Sequence, residues 1–390
     1  MNTLGIHTAH DSNIAVVQDG RLLFYAKEES FSNVKRDSWP AYALEFVKDT
    51  FVKQGMRFDI ASHTTPTESI IKLLESDCKK LFANEYIDYT HEHHLFHATQ
   101  SFYDSGFDEA YNVVIDGNGS LYFDDEQGNV VGREHESIYI GQYPAKFLKI
   151  KSNQPSWYGV TLVYALVAQL MGLSDLDGGK TMGLAAYGKE TDLPPFFDGI
   201  APYGRLYDTN PIRVSDFYTP HKNRGILDKD LLVSKWNEFQ KHHEMYNDVR
   251  FIFLNIFKDL KKLNDNLAIT KDNFQDYANL AKKVQKESED AVINFILDNC
   301  DFDACKNITL SGGYALNCLN NYRLLHELPE DVNLFIQPNA DDSGISIGLA
   351  KFLYYNETKS YNKYPLENIY AESSAPDYTY FNDYVQTQIS

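Results

Sequence analysis

The chain has 390 residues, of which 43% are hydrophobic and 14% aromatic, so it carries enough apolar material for a large folded core. This composition excludes a disordered or fibrous protein, and the length suits two or three domains of about 150 residues each. The chain has 55 acidic and 36 basic residues, a formal net charge of −19. Such a surface repels polyphosphate, so tight binding to duplex nucleic acid is not expected, whereas a single nucleotide or a sugar stays open as a ligand.

Neither the cysteines nor the apolar segments indicate export or a membrane. The cysteines show no C-x-x-C pair and no zinc-finger spacing, which favours buried free thiols in a reducing compartment. The N-terminus, MNTLGIHTAHD, lacks the basic and apolar regions of a signal peptide. Residues 159–173, GVTLVYALVAQLMGL, are uncharged but shorter than the ~20 residues that span a bilayer, so they predict a buried core helix. The sequence therefore predicts a cytoplasmic protein without membrane contact.

Two stretches about a hundred residues apart repeat one plan. The first, from residue 3, reads as strand, loop, strand, Asp-Gly turn and strand. The second, from Tyr111, reads as strand, tight Asp-Gly-Asn-Gly turn, strand, Gly-Asn turn and strand. Two three-stranded meanders, each followed by helical sequence, predict an α/β fold with two lobes of mixed β-sheet, as in the actin, Hsp70 and sugar kinase superfamily. Glycine-rich turns of both lobes would then face a phosphate-bearing ligand in the cleft.

The predicted boundaries follow from this plan. Residues 1–108 form lobe one, and residues 109–355 form lobe two with a largely helical insertion at about 190–300. Residues 356–390 are polar and rich in Tyr and Asn, which indicates a tail or the stub of a missing C-terminal domain.

The run HEHHLFHA, residues 91–98, contains four histidines in eight residues. His93 and His97 are four apart and share one face of a helix, a common arrangement for two ligands of one metal ion. Asp342 follows a strand and opens an apolar helix, and is the candidate for a third ligand. The simpler alternatives, a polar helix end for the histidines and a helix cap for Asp342, stay open. His91 and His94 lie off that face and are expected to face solvent or to support the site from outside.

Lobe one offers two further candidates. His10, with Asp11 and Ser12, follows the first strand, where an imidazole can take a proton from an attacking hydroxyl. Lys35 and Arg36 lie among polar residues and could hold an anion, although surface charges need no such explanation.

Three glycine-rich segments are candidates for binding phosphate. Asp116, Gly117 and Gly119 form the turn after the first strand of lobe two, and GGKTMGLAAYG, residues 178–188, places Lys180 beside paired glycines without the spacing of a P-loop. Gly312 and Gly313 follow a strand and precede a helix, whose N-terminus favours anions.

In this order the motifs resemble the O-carbamoyltransferase family, which includes the nodulation-factor, cephamycin and tobramycin carbamoyltransferases. The resemblance covers nearly all of residues 1–355. The matching segments are His10-Asp11, EES-x-x-x-x-K-R-D at 28–37, HHLFHA at 93–98, IDGNG at 115–119, GKTMGLAAYG at 179–188, LSGGYALN at 310–317 and DDSGISIGLA at 341–350.

The resemblance implies a specific active site. In such enzymes carbamoyl-adenylate, made from carbamoyl phosphate and ATP, lies between the lobes with its phosphate near iron(II) or another divalent cation, and Mg²⁺ is a further option. The implied metal ligands are His93, His97 and Asp342. By the same resemblance His10 assists the acceptor hydroxyl and Lys35 contacts the carbamoyl group. The residues implied for nucleotide or carbamoyl binding are Asp11, Asp116, Gly117, Gly119, Lys180, Gly312, Gly313 and Asn317.

The sequence departs from the family pattern in three places. Ser30 stands where an Arg is expected after Glu28 and Glu29, and Gly178 stands where an acidic residue usually precedes the Gly-Lys pair. Family members also carry a C-terminal YrdC-like domain that makes carbamoyl-adenylate. The sequence ends at Ser390 without it. A separate YrdC-like adenylating protein is therefore the expected partner, with a fragment of a longer chain as the alternative.

The function expected is transfer of a carbamoyl group to a hydroxyl of a small molecule such as a sugar or a hydroxymethylated nucleotide. The alternatives are an ATP-dependent small-molecule kinase of the same superfamily and a nucleotide-binding scaffold subunit of a modification complex. A kinase would have no use for the paired histidines. The identity of the acceptor and the oligomeric state, a homodimer among the options, stay open.

Overall fold

The computed structural model describes residues 1–64, 83–89, 92–117, 119–123, 130–152, 159–174, 176–192, 196 and 269–366. The strands of sheet one are β1 Asn2–His7, β2 Asn13–Gln18, β3 Arg21–Lys27, β4 Phe58–Thr64 and β5 Ala83–Asp88. Sheet two contains β6 Glu109–Ile115, β9 Glu136–Gln142, β10 Lys146–Ser152, β11 Asn307–Ser311 and β12 Asn333–Ile336, and a separate pair contains β7 Leu121–Phe123 and β8 Val130–Arg133. The α-helices are α1 Glu29–Ser32, α2 Ala41–Val47, α3 His93–Ser105, α4 Val160–Leu170, α5 Gly178–Ala185, α6 Phe274–Asn299, α7 Cys318–Glu327 and α8 Ile345–Thr358.

The two large sheets have the same strand order. Sheet one runs β3-β2-β1-β4-β5 and sheet two runs β10-β9-β6-β11-β12. In each sheet the first two pairings are antiparallel and the last two are parallel. A mixed five-stranded sheet of this order, present twice in one chain, is the arrangement of the actin-like fold, so the predicted two-lobed α/β class is confirmed. Because the parallel strands β1 and β6 lie at the centre of their sheets, the loops that follow them open at corresponding places.

The first predicted meander is confirmed and the second is partly wrong. β1, β2 and β3 form the meander of sheet one, with Asp19 and Gly20 in the left-handed conformation that the Asp-Gly turn predicts. In lobe two, β7 and β8 leave the large sheet and pair with each other. The strands beside β6 are β9 and β10, which come later in the chain. Strand β9 carries the fully buried Ile138 and Tyr139, which suits a strand beside the central β6.

Helices α3 and α8 fill the space between the two sheets. Helix α8 packs against sheet one, helix α3 packs against sheet two, and the two helices pack against each other. Their contact is close because Gly348 has no side chain: a Cβ atom there would lie 2.2 Å from the Phe96 carbonyl oxygen. Helix α3 follows the last strand of sheet one in the chain but packs on sheet two. Helix α8 follows the last strand of sheet two but packs on sheet one.

A large hydrophobic core covers the other face of sheet two. Helix α4 contributes Val160, Val163 and Val167, and helix α6 contributes Leu280 and Val284. The expectation that residues 159–173 form a buried core helix is thus confirmed. In the part of the chain that the structure describes, no helix combines the length and apolar character that a bilayer crossing requires.

The helical insertion and the tail are described only in part. Helix α6 confirms helical structure at 274–299, whereas residues 197–268 of the insertion and 367–390 of the tail lie outside the described residues. Residues 359–366 return to α3, where the Leu366 N–H donates to the Asp104 carbonyl and Lys363 Nζ donates to the Gly106 carbonyl. The predicted lobe boundaries at 108 and 355 stay predictions.

Candidate functional site

The end of β1 and the loop after it carry two histidines. β1 ends at the buried His7, and the next residues turn sharply, with Ala9 at φ 139° and Asp11 at φ 63°. Residues with a Cβ atom rarely adopt positive φ, and such strain concentrates at functional sites. His10, with its side chain 51% exposed, donates from Nδ1 to Asp11 Oδ2 at 3.1 Å. Lys27 Nζ lies 2.9 Å from the other oxygen of Asp11 and completes the pair.

The first turn of α3 carries the paired histidines. His93 and His97 have no exposed surface, and their ring centroids lie 4.9 Å apart, as expected for residues on one helical face. The backbone N–H of His93 donates to Ser120 Oγ at 3.1 Å, so the loop after β6 supports the helix N-terminus, whose N–H groups have no partner within the helix.

Asp342 lies among four histidines, and its two oxygens face different pairs. Oδ1 is 3.4 Å from His93 Nε2 and 3.3 Å from His97 Nε2. Oδ2 is 3.5 Å from Nε2 of both His7 and His10. The α3 histidines, the last residue of β1 and the histidine in the loop after β1 therefore meet at one carboxylate.

Asp116, the first residue after β6, is the second buried carboxylate of this cluster. Its Oδ2 lies 3.5 Å from His93 Nε2, and its Oδ1 accepts from the backbone N–H of Gly313 at 3.0 Å. One ligand atom from each of His93, His97, Asp116 and Asp342 falls within a mutual distance of 4.8 Å. We call these four residues the His–Asp cluster.

Contacts from both lobes fix Asp342. The Asn13 side chain donates to the Asp342 carbonyl oxygen at 2.9 Å and accepts from the Ser346 N–H at 3.2 Å. The cap of this turn is Asp341, whose carboxylate accepts from the Ser343 N–H at 3.1 Å. Because the neighbouring residue makes the cap, the Asp342 carboxylate is left to face the histidines.

The charges of the His–Asp cluster stabilise one another. Burial disfavours the charged form of His93, but the Asp342 and Asp116 carboxylates outweigh this effect and raise the pKa of His93 to about 10. Burial likewise opposes ionisation of both carboxyls, yet the facing histidines hold the pKa of each well below its usual range. At His10, the hydrogen bond to Asp11 is the largest effect and raises the pKa to about 9. The two carboxylates thus need positive charge between them.

The chemistry of the cluster suits a divalent cation. Among the described residues, neither ring nitrogen of His93 or of His97 makes a hydrogen bond, although all four nitrogens are buried. An unpaired buried polar group costs about 1–3 kcal/mol, so such atoms call for a partner. Two imidazoles and two carboxylates match the charge of a divalent ion, and mixed nitrogen and oxygen donors suit iron, manganese or zinc. These four residues could therefore hold the ion.

Of the residues predicted to bind the nucleotide, Gly313 contacts the cluster, and Gly312 and Asn317 make contacts elsewhere within the protein. Gly312 has φ 87°, and a Cβ atom there would lie 2.3 Å from the Ile115 carbonyl oxygen, so glycine is required by packing. Gly313 donates to Asp116. Asn317 caps α7 and exchanges two hydrogen bonds of 3.0 Å with the amide of Gln285.

The loop after β6 is closely packed as well. The Gly117 carbonyl accepts from His135 Nδ1 at 2.8 Å. At Gly119 a Cβ atom would lie 2.6 Å from the His94 ring. The absence of a side chain at Gly119 lets the loop approach the start of α3.

The two predicted lysines are not joined to the cluster by a described contact. Lys35 is exposed. Lys180 pairs with Asp177 at 2.9 Å at the surface, where its side chain is 66% exposed. Between these two segments, Arg36 Nη2 donates to the Leu176 carbonyl at 3.2 Å, so the loop after α1 contacts the segment before α5.

His94 supports the site from outside it. Its ring is fully buried, its Nδ1 bonds Ser137 Oγ at 3.0 Å, and Ser137 donates to Glu134 at 2.9 Å. Burial lowers the pKa of His94 to about 3, which keeps the ring neutral. Of the two alternatives expected for His94, solvent exposure is excluded by its burial, and support of the site from outside is the one that fits. His91 lies outside the described residues.

Sequence reasoning missed two members of this site. It assigned Asp116 to the nucleotide, whereas the Asp116 carboxylate lies in the His–Asp cluster. It did not select His7, although a histidine that ends an apolar strand in front of a polar loop is a signal that could have been used. The sequence also predicted that His93, His97 and Asp342 lie close together, and in the structure they do.

Fold and site together define a class: an actin-like protein with a buried His–Asp cluster between its lobes. The family model described as Carbamoyltransferase N-terminus matches residues 41–351, and the chain belongs to this family. The predicted resemblance is therefore confirmed.

The relatives are distant and longer. The chain is 23% identical to nodulation protein NolNO of Sinorhizobium fredii over 386 residues, covering 93% of this chain and 48% of that protein. It is 24% identical to the uncharacterized protein sll1178 of Synechocystis over 402 residues, covering 89% of this chain and 55% of that protein. The chain thus spans about half the length of these relatives.

Two solved structures superpose loosely. Full-length HypF, in its phosphate- and nucleotide-bound form, gives a TM-score of 0.47 at 12% identity and covers 90% of this chain and 55% of its own. Component A of the (R)-2-hydroxyglutaryl-CoA dehydratase of Acidaminococcus fermentans gives a TM-score of 0.45 at 13% identity. The match covers 91% of this chain and 98% of that chain. The fold assignment depends on the strand order and not on these superpositions.

Proposed function

We propose that this chain carries the carbamoyl-transferring site of an O-carbamoyltransferase. The donor is carbamoyl-adenylate, derived from carbamoyl phosphate and ATP, and the acceptor is a hydroxyl of a small molecule such as a sugar or a hydroxymethylated nucleotide. The observation that supports this most directly is the His–Asp cluster between the lobes, in a chain whose family match covers residues 41–351. A kinase of the same fold would need no paired histidines.

The reaction needs a better electrophile than free carbamate. In carbamoyl-adenylate, AMP is the leaving group. The acceptor oxygen forms a bond to the carbamoyl carbon, the bond from that carbon to the phosphate oxygen breaks, and AMP leaves with the electron pair. A divalent cation held by His93, His97, Asp116 and Asp342 would neutralise the charge that gathers on the phosphate.

Protein groups supply orientation and proton handling. His10 is half exposed at the cluster, Asp11 fixes its Nδ1, and its Nε2, which lies 3.5 Å from Asp342 Oδ2, would exchange a proton with the acceptor hydroxyl. Lys35 and Lys180 are proposed to contact the carbamoyl and phosphate oxygens when the ligand is bound. The turn at Gly312 and Gly313 and the loop at Gly117 and Gly119 would lie against the nucleotide, and Asn317 shapes its pocket through Gln285. Apposing two reactants in a closed cleft lowers the entropy cost of the reaction.

The test supplies carbamoyl-adenylate and a panel of hydroxyl compounds to the purified protein. AMP release is measured by chromatography, and acceptor carbamoylation is measured by mass spectrometry. We expect AMP and carbamoylated acceptor in equal amounts with wild type, and loss of both together with bound metal in His93→Ala. Binding of nucleotide without turnover, or phosphorylated acceptor with ATP alone, would contradict the proposal.

A second arm addresses the source of the intermediate. Carbamoyl phosphate and ATP replace carbamoyl-adenylate, with and without a separately purified YrdC-like protein. We propose that this chain depends on such a partner, so turnover without it would refute that part.

A further inference from the structure

His7 is a buried polar residue that the proposed reaction does not use. It is the last residue of β1, has no exposed surface, and within the described residues makes no hydrogen bond from either ring nitrogen. Leaving a buried donor unpaired costs about 1–3 kcal/mol. A histidine in this condition at the centre of a sheet indicates that it acts on a neighbouring group.

The neighbouring group is Asp342. His7 Nε2 lies 3.5 Å from Asp342 Oδ2, while the Oδ1 atom of the same carboxylate faces His93 and His97 at 3.4 and 3.3 Å. The His7 ring centroid is 5.9 Å from that of His93, so the His7 ring borders the cluster from the side of sheet one. The two oxygens of Asp342 are therefore in different surroundings.

The backbone of His7 is held firmly. In sheet one, His7 pairs with Asn13 of β2 on one side and with Thr64 of β4 on the other. Its carbonyl oxygen also accepts from Ser12 Oγ at 3.0 Å. Because a central strand moves little, the ring presents its nitrogen to Asp342 from a fixed position.

We propose that His7 is a positioning residue for Asp342: its Nε2–H donates to Oδ2, which leaves Oδ1 as the single oxygen offered to a cation held with His93 and His97. This inference rests on the proposed function, because it assumes that the His–Asp cluster binds a cation. A shift of about 0.5 Å brings the present distance to that of an ordinary hydrogen bond. Hydrogen bonds of this kind orient ligating carboxylates and typically change metal affinity 10–100-fold.

The competing reading is that His7 is itself a ligand. Its Nε2 lies 3.5 Å from Asp342 Oδ2, the oxygen turned away from His93 and His97, which favours donation to that oxygen over a bond to the shared ion. A glutamine at this position separates the two readings. Its amide N–H can still donate to Asp342, whereas a glutamine that ligated through its amide oxygen would replace a nitrogen donor by an oxygen donor and change the Co²⁺ spectrum.

The experiment measures Co²⁺ binding to purified wild type, His7→Leu and His7→Gln by competition with a chromophoric chelator, together with the visible spectrum of the bound Co²⁺. We expect His7→Leu to weaken binding about 10–100-fold and His7→Gln to stay within about threefold of wild type, with an unchanged spectrum. His63→Leu is the matched control. His63 is also fully buried in sheet one, but it contacts Tyr86, so its replacement should leave the affinity unchanged.

Each outcome is decisive. Wild-type affinity in His7→Leu would overturn the inference, and so would a folded His7→Gln that binds as weakly as His7→Leu. If wild type bound no Co²⁺, Fe²⁺ or Zn²⁺, the proposed metal centre would be overturned, and the role of His7 with it, whereas the two outcomes above overturn the role of His7 alone. If His7→Leu did not yield folded protein by circular dichroism and thermal unfolding, His7→Met would take its place, because it matches Gln in length without the N–H.

Discussion

Helices α3 and α8 enclose two buried polar clusters whose composition differs in an instructive way. Further along the helices from the His–Asp cluster, Lys351 Nζ lies 2.6 Å from Asp104 Oδ1, and both side chains are almost fully buried. Gln337 donates to the other oxygen of Asp104 at 3.0 Å, and Lys351 also donates to the Tyr364 carbonyl at 3.0 Å. In this ion pair both carboxylate oxygens and the ammonium group have partners within the protein.

The His–Asp cluster lacks that completeness. Its imidazole nitrogens make no hydrogen bonds among the described residues, and two carboxylates share one small volume. A cluster whose polar groups satisfy one another holds the fold together, whereas a cluster that needs a further charge is suited to binding. The comparison separates a structural ion pair from a candidate binding site, both of them next to helices α3 and α8.

The largest effect is expected from Asp342→Asn. The change keeps the shape and removes the charge that faces His93 and His97, so we expect carbamoyl transfer to fall by about 10³-fold or more, roughly 4 kcal/mol of transition-state stabilisation. Steady-state rates with carbamoyl-adenylate and metal content by elemental analysis check this.

The control for that variant is Asp341→Asn. Asp341 is the adjacent carboxylate and caps the same turn, and an asparagine oxygen can accept the same bond from the Ser343 N–H. If both variants lost activity equally, the loss would come from the turn and not from the ligand.

Breaking the ion pair of Lys351 and Asp104 should lower stability and leave metal binding unchanged. Lys351→Met leaves the Asp104 carboxylate buried without its charged partner, and we expect the apparent free energy of unfolding in urea to fall by about 3–5 kcal/mol. The double variant with Asp104→Leu should recover most of this loss, because it removes both charges. Co²⁺ affinity of folded Lys351→Met should equal that of wild type. A loss under about 1 kcal/mol would mean that the pair is solvated in solution.

Cation binding should stabilise only through the His–Asp cluster. At a free Co²⁺ concentration of 100 times the dissociation constant, mass action adds about 2.7 kcal/mol to the stability of the folded protein. We expect that increment in wild type and in Lys351→Met, and none in His97→Ala, by urea unfolding with and without a chelator. An equal increment in His97→Ala would place the cation elsewhere.

The sequence predicted the fold class and the pairing of His93 with His97 from local signals, whereas their meeting with Asp342 was implied by the family resemblance. Strand and turn patterns gave the meander of sheet one, and helical periodicity placed the two histidines on one face. The motif order, through its resemblance to a family, connected residues separated by more than two hundred positions. The convergence of α3 and the turn before α8 could not have been obtained from spacing alone.

What the sequence did not predict depends on three-dimensional packing. The displacement of β7 and β8 from sheet two follows from competition between strands for the place beside β6, and both candidates have strand-like patterns. The place of Asp116 in the His–Asp cluster and the position of His7 beside Asp342 arise because equivalent strand ends of the two lobes open toward the same space. Single-sequence patterns contain no information about which loops face each other.

Asp11 shares features with both kinds of cluster. The pH dependence of its contribution to the unfolding free energy shows to which kind it belongs. Burial opposes its ionisation, but hydrogen bonds from His10 and Lys27 outweigh burial and lower the pKa of Asp11 to about 2 from 3.8. A carboxyl with a depressed pKa stabilises the folded state above its unfolded pKa and loses that contribution as the pH falls through about 2, which here amounts to roughly 2 kcal/mol. We therefore expect wild type to exceed Asp11→Asn in unfolding free energy by about this amount at pH 6, with the difference shrinking from pH 4 downward.

Asp19→Asn, which removes a carboxylate that is 70% exposed, is the control and should change stability little at either pH. A difference that did not depend on pH would show that Asp11 acts by shape in the strained loop, whereas the expected decline would place it with the structural ion pairs, although it lies beside the candidate active site.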